Sequence, residues 1–343
     1  MGNSKDSQAE RDTGDMKKAL LIRLGAFGDL VFATPVIKKL KQEGYHVTVN
    51  VKKSQSDAVL KNNPNIDKFL YHDDSINNED LDKHWAELSK GYDKVVNLSG
   101  SLEESLLRRE SDPRSRDLIH AACNVNYYDH TMQWAGYEGQ GDTGEFYFTP
   151  LEIQEAKRFR KKYKDKFLVL WSMSGSSFHK VYPYTTHVMR GLVAKYPDIV
   201  FMVTGDAFCE IFEQDLSHER IKNYINKWTM RKTMLMTKFV DLVAGPETGV
   251  LVAAGCFDTP KVIFLSHSSE ENLTKYWRNV DALRAYGVSC QPCHRLIYNR
   301  NYCPLDPGLE IPMCMAKIPL VLVFKTIEDR YKEKKYGLLP RVR

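Results

Sequence analysis

No apolar run in the 343-residue sequence approaches the roughly 20 residues that a membrane-crossing helix needs. Residues 1–15 are polar and lack the apolar core of a secretory signal. Met1-Gly2 opens like a myristoylation start, but Asp6 stands where serine or threonine is required. We expect this leader to be disordered, with Met16 an alternative start, and the protein to be cytoplasmic. Charge of one sign is also missing: 49 Lys and Arg face 44 Asp and Glu, a net +5, too balanced to argue for nucleic acid. No GxxxxGK[ST] phosphate loop occurs. GxGxxG occurs once, at Gly139-Gln140-Gly141-Asp142-Thr143-Gly144, with no strand before it and no helical pattern after it, so it reads as a loop. Cysteines number only seven, which in such a chain read as thiols or metal ligands rather than disulfides.

What is present is an alternation of strands and helices. Hydrophobic residues make up 43%, enough for a full core, and the length suggests two domains. Ala19 to Ile22 reads as a buried strand, followed by the turn Arg23-Leu24-Gly25-Ala26-Phe27-Gly28-Asp29. Leu30, Val31, Ala33, Val36 and Leu40 then recur at helical spacing. Strands follow at His46 to Val51, Lys68 to Tyr71 and Asp93 to Asn97, with helices at Gln55 to Leu60 and Asn78 to Lys90 between them. This order implies parallel βαβ units in a doubly wound domain. Glu152 to Lys164, highly charged, is a natural crossover helix. Strands at Phe167 to Trp171, Ile199 to Val203, Val240 to Val243 and Lys261 to Leu265 then repeat the plan. Helices at about Thr185 to Lys195, Met230 to Thr237 and Val250 to Cys256 lie between them.

Ligands of open α/β sheets bind at the carboxyl ends of the strands. Three turns qualify. The first puts Asp29 at a helix start, as a cap or as a reactive carboxylate. The second, Ser174-Gly175-Ser176-Ser177 with Lys180, offers hydroxyls, backbone N–H groups and a cation to a phosphate or diphosphate; its structural alternative is a solvated serine turn. The third is Gly245-Pro246-Glu247-Thr248-Gly249, running into a helix of small residues. Thr204-Gly205-Asp206 ends another strand of the same half. Between the halves, Arg108, Arg109, Arg114 and Arg116 precede Tyr127, Tyr128, Trp134 and Tyr137. They form either a solvated face followed by a packed helix or a wall for an anionic, sugar-bearing substrate.

These turns, in this order, resemble glycosyltransferase family nine, which contains the ADP-heptose:lipopolysaccharide heptosyltransferases. Arg23 to Asp29 with Thr34-Pro35 is similar to the family's RLGALGD…TP opening, and Asn62-Asn63-Pro64-Asn65-Ile66-Asp67 to its NPxxD segment. Ser174 to Ser177 with Lys180 and Pro183 resembles its phosphate loop, and Glu247-Thr248-Gly249 stands where it usually has Asp-Ser/Thr-Gly. Cys290, Cys293, Cys303 and Cys314 resemble its cysteine-bearing segment. The likeness runs from about Lys18 to Leu320. Two departures fall on the donor side: Glu247 for the usual aspartate, and Val252 where the family has a histidine.

The resemblance implies a GT-B architecture, two Rossmann-like doubly wound domains facing across a cleft. The divisions expected are residues 1–15 (leader), 16–160 (acceptor domain), 161–320 (nucleotide-sugar domain) and 321–343 (C-terminal helix and basic tail). It implies an inverting, metal-independent transfer of a heptose or related sugar to a glycan or glycolipid hydroxyl, with Asp29 as general base. Ser174, Gly175, Ser176, Ser177, Lys180, Gly205, Asp206, Glu247, Thr248 and Gly249 would hold the donor, and Gly28, Ser99, Arg108 and Arg109 the acceptor. No cofactor is required. The alternatives are a non-catalytic sugar-nucleotide-binding protein of the same fold, or a transferase with a nucleic-acid or protein acceptor; no stable nucleic-acid complex is expected. Cys290, Cys293, Cys303 and Cys314 could bind a structural zinc, stay free or form a labile disulfide. The basic tail, with Lys332, Lys334, Lys335, Arg341 and Arg343, is either a solvated helix end or a peripheral contact with anionic membrane.

Overall fold

The apolar runs become the inner strands of two parallel sheets, buried on both faces as parallel sheets require. The computed structural model describes residues 16–337 apart from 109–111, 140, 174, 176 and 296–302. The leader, Arg109, Ser174, Ser176, Arg341 and Arg343 therefore lie outside the described residues. The first sheet contains β1 (Lys18–Ile22), β2 (His46–Val51), β3 (Lys68–Tyr71) and β4 (Lys94–Asn97) in the order β3-β2-β1-β4. Its register sets Leu21 against Val49 on one side and Val96 on the other. Helix α1 (Phe27–Gln42) buries Leu30, Val31, Val36, Ile37 and Leu40. By contrast α2 (Leu81–Leu88), shorter than the helix expected over Asn78 to Lys90, buries no residue completely.

Two further helices, α3 (Arg116–Cys123) and α4 (Tyr127–Trp134), occupy the irregular stretch. Tyr127 and Tyr128 are buried, their rings packed on Phe32, so these two aromatics serve the core rather than a substrate wall. The crossover helix α5 (Pro150–Lys161) starts early because Pro150 and a Thr149–Glu152 capping box define its first turn.

The second sheet contains β5 (Phe167–Ser172), β6 (Ile199–Thr204), β7 (Ile221–Asn223), β8 (Leu242–Pro246), β9 (Lys261–Phe264) and β10 (Val280–Leu283), all parallel, in the order β10-β9-β8-β5-β6-β7. The edge strand β7 has only three residues, and β10 carries Asp281 within its four, so neither reads as an apolar run. Strand β8 begins at Leu242 rather than Val240. Helices α6 (Thr185–Lys195), α7 (Met230–Met236) and α8 (Gly249–Gly255) follow their strands as expected. The C-terminal helix α9 (Leu320–Tyr336) packs on α6 and buries Val323, Ile327 and Tyr331. Its Lys325, Lys332 and Lys335 pair with Asp329, Glu328 and Asp198, so the helix carries its own counter-charges. Among the described residues no helix is long and apolar enough to cross a membrane.

The halves share an apolar cluster reaching from Leu30 and Tyr128 to Val250 and Ile263. Polar ties reinforce it. Arg231 grips Glu152 and donates to the Tyr147 carbonyl at 2.9 Å. Asn272 Nδ2 donates to the Cys123 and Val125 carbonyls at 2.7 and 2.8 Å.

Candidate active site

The carboxyl ends of both sheets meet where α1 and α8 begin. A Cβ on Gly249 would lie 3.1 Å from Phe27 Cβ and 3.4 Å from Gly28 N, so the small residues permit this approach. Val252, at the position of the family's histidine, packs on Gly28 and is 5% exposed.

On the first side, the turn after β1 aims one carboxylate at the junction. Asp29 is the third residue of α1, and its Oδ2 accepts the Ala26 N–H at 2.6 Å. The same oxygen lies 3.2 Å from Arg23 Nη2. Gly25 is required by space, since a Cβ there would stand 2.6 Å from Asp29 Oδ2. Arg23 is 1% exposed; it donates to the Leu98 carbonyl at 2.7 Å and clasps Glu103 with both Nη atoms. Burial raises the Asp29 pKa, Glu103 adds to the rise, and Arg23 offsets only part of it. The side chain keeps 19% of its surface, so the carboxylate is both a helix cap and a reachable base stronger than an ordinary aspartate. Ser99 Oγ accepts the Leu24 N–H at 2.9 Å and so braces the turn. Arg108 is placed differently: its backbone N–H donates to the His294 carbonyl at 2.5 Å, joining the two halves.

On the second side, the expected donor residues gather at three neighbouring strand ends. Gly175, Ser177 and Lys180 follow β5, Gly205 and Asp206 follow β6, and Glu247, Thr248 and Gly249 follow β8. Burial lowers the Lys180 pKa, while Glu247 in its own half and Asp29 in the other pull it back up. Its ammonium forms no hydrogen bond or ion pair with any described residue. Glu247, 4% exposed, is fully engaged: it accepts from Ser266 Oγ at 2.6 Å and from the Ser266 and Ser268 N–H groups at 3.1 Å each. His267 Nδ1 lies 2.7 Å from its Oε2. Burial opposes ionisation of Glu247, but His267, Lys180 and the Ser266 hydroxyl outweigh it and hold the pKa well below the usual carboxylate range. Thr248 Oγ1 caps α8 by accepting the Leu251 N–H and pairs with Ser172 Oγ at 3.2 Å.

The arrangement is that of a GT-B protein: two Rossmann-like domains whose strand ends meet, with the Asp29 carboxylate on one side and the Lys180 ammonium on the other. Glycosyltransferases are among the solved structures that it resembles. One is a family 9 glycosyl transferase from Veillonella parvula, with a TM-score of 0.64 at 16% identity, matching 92% of this chain and 97% of that one. Another is E. coli ADP-heptose lipopolysaccharide heptosyltransferase II, with a TM-score of 0.64 at 11% identity over 93% and 99% of the two chains. A third is TibC of enterotoxigenic E. coli, a dodecameric iron-containing heptosyltransferase in complex with ADP-D-β-D-heptose, with a TM-score of 0.62 at 9% identity over 93% and 77%. No family model matches the sequence, and no curated protein matches it.

Sequence reasoning missed Arg23 and Glu103 as supports of Asp29, although Arg23 lies within the opening motif. It also missed His267 and His179. The signals were the run Ser266-His267-Ser268-Ser269 after a strand, and for His179 its place beside Lys180 in the serine loop. The four late cysteines line one small cavity of about 20 Å³ with His179, Ser266 and His267. Among the described residues no three His, Cys, Asp or Glu side chains stand ready as a metal-ligand set.

Proposed function

We propose that this protein is an inverting glycosyltransferase that moves a sugar, a heptose or a relative of it, from a nucleotide-diphosphate donor to a hydroxyl of a glycan or glycolipid. The observation that carries the reading is Asp29 and Lys180 within electrostatic reach of each other across the junction, a carboxylate of raised pKa opposite an ammonium that bonds no described residue. Asp29 takes the proton of the acceptor hydroxyl as its oxygen attacks the anomeric carbon. The bond from that carbon to the diphosphate breaks, and its electron pair leaves with the diphosphate. Attack opposite the leaving group inverts the anomeric centre. Lys180 receives the charge developing on the diphosphate oxygens, with no metal on the path. Arg23 keeps Asp29 in place between turns of reaction, and fixed geometry supplies part of the rate. The neighbours whose names include ADP-heptose make ADP the first nucleotide to test. Screening nucleotide sugars for a rise in melting temperature, then for transfer, tests the reading. A ligand at 100 times its Kd stabilises by about 2.7 kcal/mol, well within reach of a melting assay. Stabilisation without transfer to any glycan would favour the non-catalytic alternative.

We propose in addition that Cys290, Cys293, Cys303 and Cys314 draw together around a structural metal ion when one binds, since as they stand they line one cavity but do not form a ligand set. Four thiols around one cavity suit a soft cation in donor type. Burial raises the pKa of Cys293 to about 12 and raises those of Cys303 and Cys314, so these sulfurs stay protonated unless a cation compensates. Zinc would be held as thiolates and would tie the late loops together. The iron in TibC makes iron the other metal to look for. Purified protein should contain about one metal ion per chain, and chelation should lower its melting temperature. Metal-free protein of unchanged stability would leave the thiols free.

A further inference from the structure

The loop after β9 contains a group that the transfer reaction as drawn leaves unused. His267 is nearly buried, with 13% of its side chain exposed, and its Nδ1 lies 2.7 Å from the ionised Glu247 carboxylate. An imidazole nitrogen at that distance from a carboxylate carries its proton there. The same Nδ1 is 3.4 Å from His179 Nε2, and the two rings stand edge to face at 5.4 Å. His179 Nδ1 in turn is bonded to Ser177 Oγ. One chain of contacts, Ser177–His179–His267–Glu247, thus runs from the loop after β5 to the turn after β8. Lys180 is the residue next to His179. Burial and the neighbouring His267 push His179 down to about 2, so it stays neutral. Glu247 has no oxygen to spare for a ligand, because Ser266, Ser268 and His267 occupy both of them.

We propose that His267 is a positioning residue of the donor site. Its Nδ1–H, donated to Glu247, holds the imidazole edge to face against His179 and so steadies the loop that presents Lys180 to the diphosphate. The proposal rests on the donor-site reading above for its ligand. It makes a specific demand, a hydrogen-bond donor at the place of Nδ1. Asparagine puts an amide N–H close to that place on the same short stem. Glutamine puts its amide where Nε2 stands, and leucine supplies none.

The experiment titrates the full-length protein with ADP, and separately with inorganic diphosphate, in four forms: wild type, His267→Asn, His267→Gln and His267→Leu. Melting temperatures are taken alongside. Losing a hydrogen bond to a charged group costs about tenfold or more in affinity. His267→Asn should therefore stay within about threefold of wild type, while His267→Gln and His267→Leu should weaken binding about tenfold. In transfer assays the donor KM should rise with kcat nearly unchanged. If His267→Leu binds as wild type does, or if the asparagine and leucine forms are equally impaired, the positioning role is wrong while the donor site stands. If wild type binds neither ADP nor diphosphate, the donor site itself is wrong and this inference falls with it.

Discussion

Replacing Asp29 by asparagine separates the helix cap that its carboxylate forms from the general base that we propose it to be. The substitution keeps the shape and one carbonyl oxygen, so the 2.6 Å bond from the Ala26 N–H survives as a cap. It removes the 3.2 Å ion pair with Arg23, but Arg23 keeps Glu103 and the Leu98 carbonyl, so no buried cation is stranded. Burial raises the Asp29 pKa in the folded protein. A carboxyl with a raised folded pKa favours folding only below its unfolded pKa, and that contribution is lost as pH rises through the folded value. The asparagine amide does not titrate, so the variant should lose that pH dependence of stability. Stability should change by no more than about 1 kcal/mol, with either sign. The rate should fall about 10²–10⁴-fold, or about 2.7–5.4 kcal/mol of barrier, because the proton acceptor is gone. In wild type the transfer rate should climb with pH through the raised Asp29 pKa and then level off; the variant should lose that limb. Melting curves and single-turnover transfer at saturating donor would measure both effects. A variant that transfers at the native rate with the same pH profile would refute the base assignment and leave only the cap.

Lys180→Ala should weaken ADP binding with little change in melting temperature, since its ammonium bonds no described residue; calorimetry would measure it, and unchanged affinity would remove Lys180 from the donor site. Gly25→Ala puts a methyl group 2.6 Å from Asp29 Oδ2, so transfer should drop sharply while ADP binding, which we assign to the other half, should stay near wild type. His294 is buried and held down to about 4, by burial first and by His120 next, against an ordinary value near 6.5. A histidine with a depressed folded pKa contributes stability above its unfolded value, so melting temperature should fall as pH drops from about 6.5 to 4, and His294→Asn should flatten that part of the curve.

The alternation of strands and helices, and the turns after β1, β5 and β8, were legible in the sequence because each is a local signal. Apolar runs of four to six residues, glycines at sharp turns and helical spacing after them depend on nearest neighbours alone. Asp29 and Lys180 stood out for the same reason, as lone charges in turns that open strand–helix units. The late cysteines were visible as a cluster, and the fold adds that they share one cavity. What tertiary structure alone decided are the pairings between residues far apart in the chain. Arg23 meets Glu103, and Glu247 meets His267, only because parallel crossovers bring strand ends together. The same crossovers sink Tyr127 and Tyr128 into the core and spend Arg108 on a bond between the halves. The three-residue edge strand β7 exists because the longer β6 templates it, and β10 because β9 pairs along its full length. Composition and spacing can nominate a carboxylate or a cation. Burial and opposing charge set its pKa and its partner, and both come from chain that is distant in sequence.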